Sequence, residues 1–130
     1  MDELEKQVKK FLTDRAWDQL RPGDLAKSVA IEAGELLELF QWDNPELEEV
    51  KNQPDKLVKI KKELADVLTY CLDIAVLLEL DTQKIILEKL EYINKKYPPE
   101  LMRKNAKKGA GSGNDSEYWR IKEEYRKNSR

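Results

Sequence analysis

The chain has 130 residues, a length typical of one domain, and its 24 Lys+Arg and 26 Asp+Glu leave a formal net charge of −2. This near balance argues against a nucleic-acid or membrane-surface binder, so we expect neither as a partner. With 0 His and 1 Cys, a zinc site is nearly excluded, because such sites are built from Cys and His. Any catalytic chemistry must use carboxylates, a hard cation and water.

The N-terminus and the cysteine content indicate where the protein functions. The first ten residues (MDELEKQVKK) are charged and lack the apolar core of a signal peptide. No apolar run reaches the ~20 residues that a membrane span needs. Cys71 stands among Leu and Ala residues, so we expect a small buried hydrophobe in a reducing compartment. These observations predict a cytoplasmic protein.

Apolar residues at helical spacing predict the first two helices. The first helix extends from about Asp2 to Trp17 and is broken at residues 21–23 (RPG). Asp24 is a plausible N-cap for the second helix, which continues to about Gln41. There is no strand signal, so the predicted fold class is all-α.

The next predicted helix is the central one. A short acidic helix over residues 46–52 is followed by a third main helix from about Lys56 to Leu80. That helix is apolar on more than half of its circumference, which is typical of a helix buried against several neighbours. A fourth main helix reaches about Lys96, and Pro98 and Pro99 end it.

Composition changes after residue 98, which gives a predicted domain over residues 1–98 and an appendage over residues 99–130. The appendage begins as a Gly/Lys-rich segment. Its glycines at residues 109–113 superficially resemble a phosphate loop, but they follow no strand and match neither phosphate-binding fingerprint, so we predict a flexible linker. A short C-terminal helix should then dock on the body or on a neighbouring subunit through Tyr118, Ile121 and Tyr125.

Two pairs of acids lie on the second and third main helices. Glu32 and Glu35 form one pair, Glu63 and Asp66 the other, and each pair is spaced so that both side chains project from adjacent turns of one face. Glu32 falls in the middle of its helix's apolar arc, and Glu35 lies at the edge. An inward carboxylate must be paired, protonated or metal-bound, because an isolated buried charge is too costly. Carboxylates converging from two helices would bind a hard cation such as Mg²⁺.

The acid pairs also have an ordinary explanation. Such spacings are common on helices, where a solvated face carries pairs between acids and lysines one turn away. Lys59 with Glu63, and Lys62 with Asp66, fit that explanation. The position of Glu32 within an apolar arc favours the metal site instead.

The aromatic and polar residues near these helices are open to two interpretations. Trp17, Trp42 and Tyr70 lie close to helix boundaries or to the acidic stripe. They are either ordinary packing residues or a stacking platform for a nucleobase. On pattern alone, Lys89 and Asn94 on the fourth main helix are surface residues.

Taken together, these motifs resemble the MazG-like all-α nucleotide pyrophosphohydrolases, and most closely the dCTP pyrophosphatase branch. The likeness covers residues 11–98 in the right order and leaves out the tail. That branch also has an Arg-x-Trp segment before the first acid pair. The matching segments here are residues 15–17 (RAW), residues 32–42 (EAGELLELFQW), residues 63–70 (ELADVLTY), Lys89, and residues 94–98 (NKKYP).

The resemblance implies a four-helix subunit that assembles into a helical-bundle homodimer or homotetramer. It implies hydrolysis of a nucleoside triphosphate to the monophosphate and pyrophosphate. It also implies that Mg²⁺, with Mn²⁺ as a possible substitute, is held by Glu32, Glu35, Glu63 and Asp66. The residues implied for substrate binding are Trp17, Trp42 and Tyr70 for the base and sugar, and Lys89 and Asn94 for the phosphates or sugar. Since the chain has no His, we expect Glu35, at the edge of its arc, to act as the general base.

One departure from the family concerns the base. Relatives in the dCTP branch often have a His shortly after the first Trp, where this chain has residues 19–21 (QLR). We favour a dCTP-like or modified pyrimidine deoxynucleotide, with the base itself left open. The alternatives are a related hydrolase of dUTP or phosphoribosyl-ATP, and a non-catalytic helical oligomerisation module.

Overall fold

The computed structural model of the protein describes residues 2–106 and 116–129. Within these ranges the chain is all-α, with no strand, and its seven helices are the four main helices, the short acidic helix and the C-terminal helix that we predicted, together with one more, Pro99–Ala106. No helix in the same ranges has the length and apolar composition needed to cross a membrane. The predicted glycine linker at residues 109–113 lies outside the described residues. The helices are α1 (Glu3–Asp14), α2 (Pro22–Glu38), α3 (Leu47–Lys51), α4 (Pro54–Leu77), α5 (Thr82–Lys96), α6 (Pro99–Ala106) and α7 (Ser116–Asn128).

The chain divides into two compact units, Met1–Thr82 and Gln83–Arg130. The first unit contains α1 to α4, and the second contains α6, α7 and all of α5 except its first residue. The domain boundary predicted after residue 98 falls inside the second unit, between α5 and α6, and stays a prediction for the functional domain.

Prolines begin three of the helices, which corrects the predicted boundaries. Pro22 starts α2, so Asp24 lies in the first turn and is not the N-cap. Pro54 likewise starts α4, and Pro99 starts α6, a helix that we did not predict. Proline suits the first turn of a helix, because its fixed φ is helical and the N–H that it lacks would have no partner within the helix. The predicted starts of α2 and α4, after Asp24 and at about Lys56, therefore lie too far along the chain.

A left-handed residue ends α1 and positions the next side chain. Ala16 has a φ of 58°, and the Trp17 N–H donates to the carbonyl oxygen of Leu12 at 2.8 Å. The turn brings the indole of Trp17 against Phe11, edge to face, with ring centroids 5.9 Å apart. Trp17 is therefore held beside Leu12, which is almost fully buried.

Helices α2 and α4 pack against each other in opposite directions. Asp24 and Ser28, near the start of α2, line the same cleft as Thr69 in the second half of α4. Leu39, just after α2, lines a second cavity with residues 53–56 and Lys59 at the start of α4. This antiparallel pair places the middle of α2 opposite the middle of α4. The buried apolar residues of the first unit are Leu12, Leu25, Ala75 and Val76.

One face of α4 remains apolar and exposed. Cys71 lies on the surface, so the prediction that it is buried was wrong. It failed because α4 is apolar around more than half of its circumference and the neighbouring helices cover only part of it. An exposed apolar face of this kind is typical of an interaction surface. Exposed apolar residues along α4 include Leu57, Val58, Leu64 and Leu68.

In the second unit, α7 packs against α5 and the residue that follows it through aromatic rings. Tyr118 stacks on Tyr97 with ring centroids 5.1 Å apart, and Tyr125 meets Tyr92 edge to face at 6.0 Å. Ile121 lies between the two tyrosines on α7 and is buried. The predicted docking face of the last helix is therefore confirmed, and its contacts lie within the second unit.

Candidate metal centre

Four carboxylates converge where α2 crosses α4. One oxygen from each of four side chains belongs to the cluster, and these oxygens all lie within 4.8 Å of one another. The spacing within each pair places both side chains on one helix face, and the packing of α2 against α4 turns the two faces toward each other. The structure thus brings together all four acids selected from the sequence. They are Glu32 and Glu35 from α2, and Glu63 and Asp66 from α4.

Two oxygens of this cluster are buried and lack partners. Oε2 of Glu32 and Oε2 of Glu63 receive no hydrogen bond from any described residue. A buried carboxylate oxygen without a donor costs free energy, which a bound cation would recover. A set made only of carboxylate oxygens suits Mg²⁺ or Mn²⁺. The residues present therefore fit a hard divalent cation.

Burial within the cluster follows the arc predicted from the sequence. Glu32, Glu63 and Asp66 are half-buried, whereas Glu35 is exposed. Glu38, one turn further along α2, is also exposed. Water therefore reaches Glu35 more readily than the other three acids.

Lys62 borders the cluster and partly balances its charge. Its Nζ lies 3.2 Å from Oε1 of Glu63 and 3.7 Å from Oδ2 of Asp66. The hydrogen bond to Glu63, with the charges of Glu63, Asp66 and Glu35, raises the pKa of Lys62, which stays protonated. The Lys62 side chain is 71% exposed, so solvent and salt screen its charge. The ion pair between Lys62 and Asp66, which the sequence also suggested, therefore exists beside the converging acids.

A cleft of about 410 Å³ lies beside the cluster and shares Asp66 with it. This volume is within the range of small-molecule sites. Trp17, from the turn after α1, and Tyr70, one turn beyond Asp66 on α4, both line it. Trp17 is 46% exposed, so part of its ring is accessible to a ligand. Two of the three predicted aromatic residues therefore lie next to the acids.

The third aromatic residue is not among the described residues that line the cleft, and the two polar residues belong to the second unit. Trp42 is 90% exposed and is not among the described residues that line the cleft. The loop that contains Trp42 contacts the start of α4 through the next residue, Asp43. The Nζ of Lys56 donates to both carboxylate oxygens of Asp43, at 2.9 and 3.0 Å. Lys89 and Asn94 are exposed on α5, in the second unit. The substrate contacts expected of these three residues stay predictions.

Asp73 lines the cleft, although we did not select it from the sequence. Its side chain is buried, with 5% exposure, and this burial raises the pKa of its carboxyl group. Oδ1 of Asp73 has no hydrogen-bond partner within the described chain. A signal was available, because Asp73 lies two helical turns after Asp66 and interrupts an otherwise apolar run over residues 71–78.

Similarity to known proteins extends over most of the chain. The MazG-like family matches residues 27–111. The chain is 30% identical over 108 residues to dCTP pyrophosphatase 1 of Rattus norvegicus, which covers 82% of this chain and 64% of that protein. It is 28% identical over 110 residues to dCTP pyrophosphatase 1 of Homo sapiens, covering 83% and 65%. The chain thus spans less than two thirds of the length of these relatives.

A solved structure is similar as well. The crystal structure of a pyrophosphatase from Archaeoglobus fulgidus DSM 4304 superposes with a TM-score of 0.63 and 34% sequence identity. The match covers 74% of this chain and 90% of the archaeal chain. The similarity is therefore one of sequence as well as of fold.

Proposed function

Because the chain belongs to the MazG-like family, we propose that it is a Mg²⁺-dependent nucleotide pyrophosphohydrolase, with Mn²⁺ as a possible substitute. It would convert a nucleoside triphosphate to the monophosphate and pyrophosphate, and so clear dCTP-like or modified deoxynucleotides from the cytoplasmic pool. The observation that carries this proposal is the convergence of four acids, two of them with buried and unpartnered oxygens. The dCTP pyrophosphatases and the archaeal pyrophosphatase to which the chain is similar support it.

The acids of the cluster divide the work of hydrolysis according to their exposure. When bound, the cation supplies charge neutralisation for the triphosphate and acidifies the attacking water. Glu32, Glu63 and Asp66 would hold it, with Glu35 as a fourth ligand or as the base. Because Glu35 is the exposed acid, it would take the proton from water. The water oxygen then bonds to the α-phosphorus, the bond from this phosphorus to the bridging oxygen breaks, and pyrophosphate leaves.

The cleft beside the cluster would receive the base. Asp66 belongs to both the cluster and the cleft, so a nucleotide with its phosphates on the acids can extend its base toward Trp17 and Tyr70. Aromatic stacking favours any nucleobase and leaves selection to polar contacts. Support for contacts from Trp42, Lys89 and Asn94 comes from the resemblance to the family alone.

Pyrophosphate release from a panel of triphosphates tests the proposal. The panel includes the deoxy and ribo forms of each base, with dUTP and phosphoribosyl-ATP, each with Mg²⁺, with Mn²⁺ or with a chelator. We expect release only with a divalent cation, and fastest from a pyrimidine deoxynucleotide. Release from no compound would favour the non-catalytic oligomerisation module. A purine preference would refute the pyrimidine assignment.

The exposed apolar face of α4 supports a homodimer or homotetramer. A face that includes Leu64 and Leu68 is costly to leave in water, and a second copy of the chain would cover it. Sedimentation of the wild type should show an oligomer, and Leu68→Glu should shift it to a smaller species. A stable, folded wild-type monomer at micromolar concentration would contradict this assembly.

A further inference from the structure

One polar group in the cleft has no role in the chemistry described above. Asp73 is 5% exposed, yet its Oδ1 is unpartnered among the residues that the structure describes. Folded proteins rarely leave a buried oxygen without a donor. Asp73 is not one of the four converging acids, so the cation does not explain it. A ligand in the cleft that carries a hydrogen-bond donor would.

We propose that the carboxylate of Asp73 contacts the polar edge of the base, and that it makes the cleft select a 4-aminopyrimidine over a 4-oxopyrimidine. The inference rests on the proposed function, because it takes the phosphates to lie on the acid cluster and the base to lie in the cleft. Asp73 is thus a specificity-determining residue, and the bond-breaking step is left to the cluster.

The order of residues along α4 supports this assignment. Asp66, Tyr70 and Asp73 follow one another at helical spacing, and all three line the cleft. From Asp66 to Asp73 the helix rises by about 10 Å. That rise is comparable to the reach of a nucleotide from its α-phosphate to the far edge of a pyrimidine. A nucleotide along α4 would therefore place its phosphates at Asp66, a ring at Tyr70 and its base edge at Asp73.

The chemistry of a carboxylate determines which base it selects. An ionised carboxylate has acceptors and no donor, so it pairs with the exocyclic amino group of cytosine. Uracil has a carbonyl at that position, which repels the carboxylate and leaves two buried acceptors facing each other. An amide carries both a donor and an acceptor and can turn either toward the base. A protonated Asp73 would also have a donor and could pair with the uracil carbonyl. The selection of cytosine over uracil is therefore a property of the ionised carboxylate.

Two variants of Asp73 and a matched pair of substrates test the inference. dCTP and dUTP differ at the pyrimidine edge alone, and kcat/KM is measured for both. Asp73→Asn should lower the dCTP-to-dUTP ratio by about tenfold, largely because dUTP improves. Asp73→Ala should lower the same ratio by a similar factor, because dCTP worsens. Asp55→Asn, the same change in the exposed first turn of α4, is the control and should leave the ratio unchanged.

Two further measurements separate the possible failures. The rise in thermal midpoint with Mg²⁺ should be the same in wild type and both Asp73 variants, because none of them alters the cluster. Dissociation constants for dCTP and dUTP give the selectivity without turnover. A wild type that binds dCTP over dUTP without hydrolysing it, with that preference lost in Asp73→Asn, would refute the proposed function and uphold the role of Asp73. An active enzyme that prefers dUTP, or whose ratio is unchanged by Asp73→Asn, would overturn the role of Asp73 alone.

Discussion

Two buried acids of the first unit, one in α1 and one in α4, differ in how their oxygens are satisfied. Glu5 and Asp73 are 4% and 5% exposed. Oε1 of Glu5 accepts the backbone N–H of Thr82 at 3.2 Å and so satisfies a donor at the start of α5. Oδ1 of Asp73 has no such partner within residues 2–106 and 116–129. Burial alone therefore does not distinguish a carboxylate that is satisfied within the fold from one that has an oxygen without a partner.

Two acids of the cluster resemble Asp73, not Glu5, in how their oxygens are satisfied. Oε2 of Glu32 and of Glu63 is buried and unpartnered in the described chain, like Oδ1 of Asp73. Glu5 contributes to folding by itself, whereas the other three acids are costly to the free protein and should be satisfied by a ligand. Substitutions at these positions should separate the two classes.

The largest effect is expected at Glu32. Glu32→Gln removes a buried charge from the cluster, so it should lower kcat/KM by at least about a hundredfold. It should also blunt the rise in thermal midpoint that Mg²⁺ produces through mass action. Glu38→Gln, at an exposed position on the same helix, is the control and should retain both kcat/KM and the rise in thermal midpoint. A wild-type midpoint that does not respond to metal in the presence of nucleotide would rule out the site.

Glu5 should show the opposite behaviour. Glu5→Ala leaves the N–H of Thr82 without its acceptor, so the free energy of unfolding should fall by about 1–3 kcal/mol. The shift in thermal midpoint with Mg²⁺ should match that of the wild type. Glu5→Gln keeps an acceptor and should lose less stability. If Glu5→Ala folded normally but lost its response to metal, the distinction between the two classes would fail.

Asp73 should make stability depend on pH in a predictable direction. Because burial raises the pKa of Asp73 above 3.8, the folded state holds this proton more tightly than the unfolded chain does. Its contribution to stability is full below pH 3.8 and is lost as pH rises through the higher pKa of the folded state. Asp73→Asn stays neutral, so it should be more stable than the wild type near neutral pH. Denaturant unfolding should show that difference shrinking toward acid pH, and a constant difference would contradict it.

The smallest effect is expected at Lys62, which contacts the cluster from solvent. Lys62→Met removes a cation beside Glu63 and Asp66, so Mg²⁺ should bind about two- to fivefold more tightly. Added salt should reduce this difference, because the lysine is exposed. Lys61→Met, at a neighbouring exposed position, is the matched control for titration calorimetry. Weaker binding in Lys62→Met would show that the lysine organises the acids.

The acid cluster could be predicted from the sequence because local periodicity determines it. The spacing of Glu32 to Glu35, and of Glu63 to Asp66, fixes which helix face each pair occupies. The position of Glu32 within an apolar arc then requires that face to be inward. Only the packing of α2 on α4 had to be assumed. The all-α class followed from the same periodicity.

The cleft could not be predicted, because it depends on contacts between distant segments. Trp17 reaches the cleft through the left-handed turn at Ala16, which a pattern of apolar residues does not encode. Asp73 lines the cleft together with residues of α1, of the following turn and of α2, which are distant from it in sequence. The exposure of Cys71 has a similar cause, since the covering of each face of α4 is a property of the tertiary structure. The sequence does not predict α6, because a proline after a helix indicates its end, whereas Pro99 is a first-turn residue of the next helix.

The placement of Trp17 gives the protein an intrinsic optical signal. Its indole lines the cleft, whereas Trp42 is exposed outside it and Trp119 belongs to α7 in the second unit. With Trp42 and Trp119 replaced by Phe, the tryptophan fluorescence of the chain would come from Trp17 alone, since the sequence holds 3 Trp. Stacking of a base on this ring would quench the emission, while a cation at the acids would leave it almost unchanged. The order in which metal and nucleotide arrive could then be followed in real time without a label.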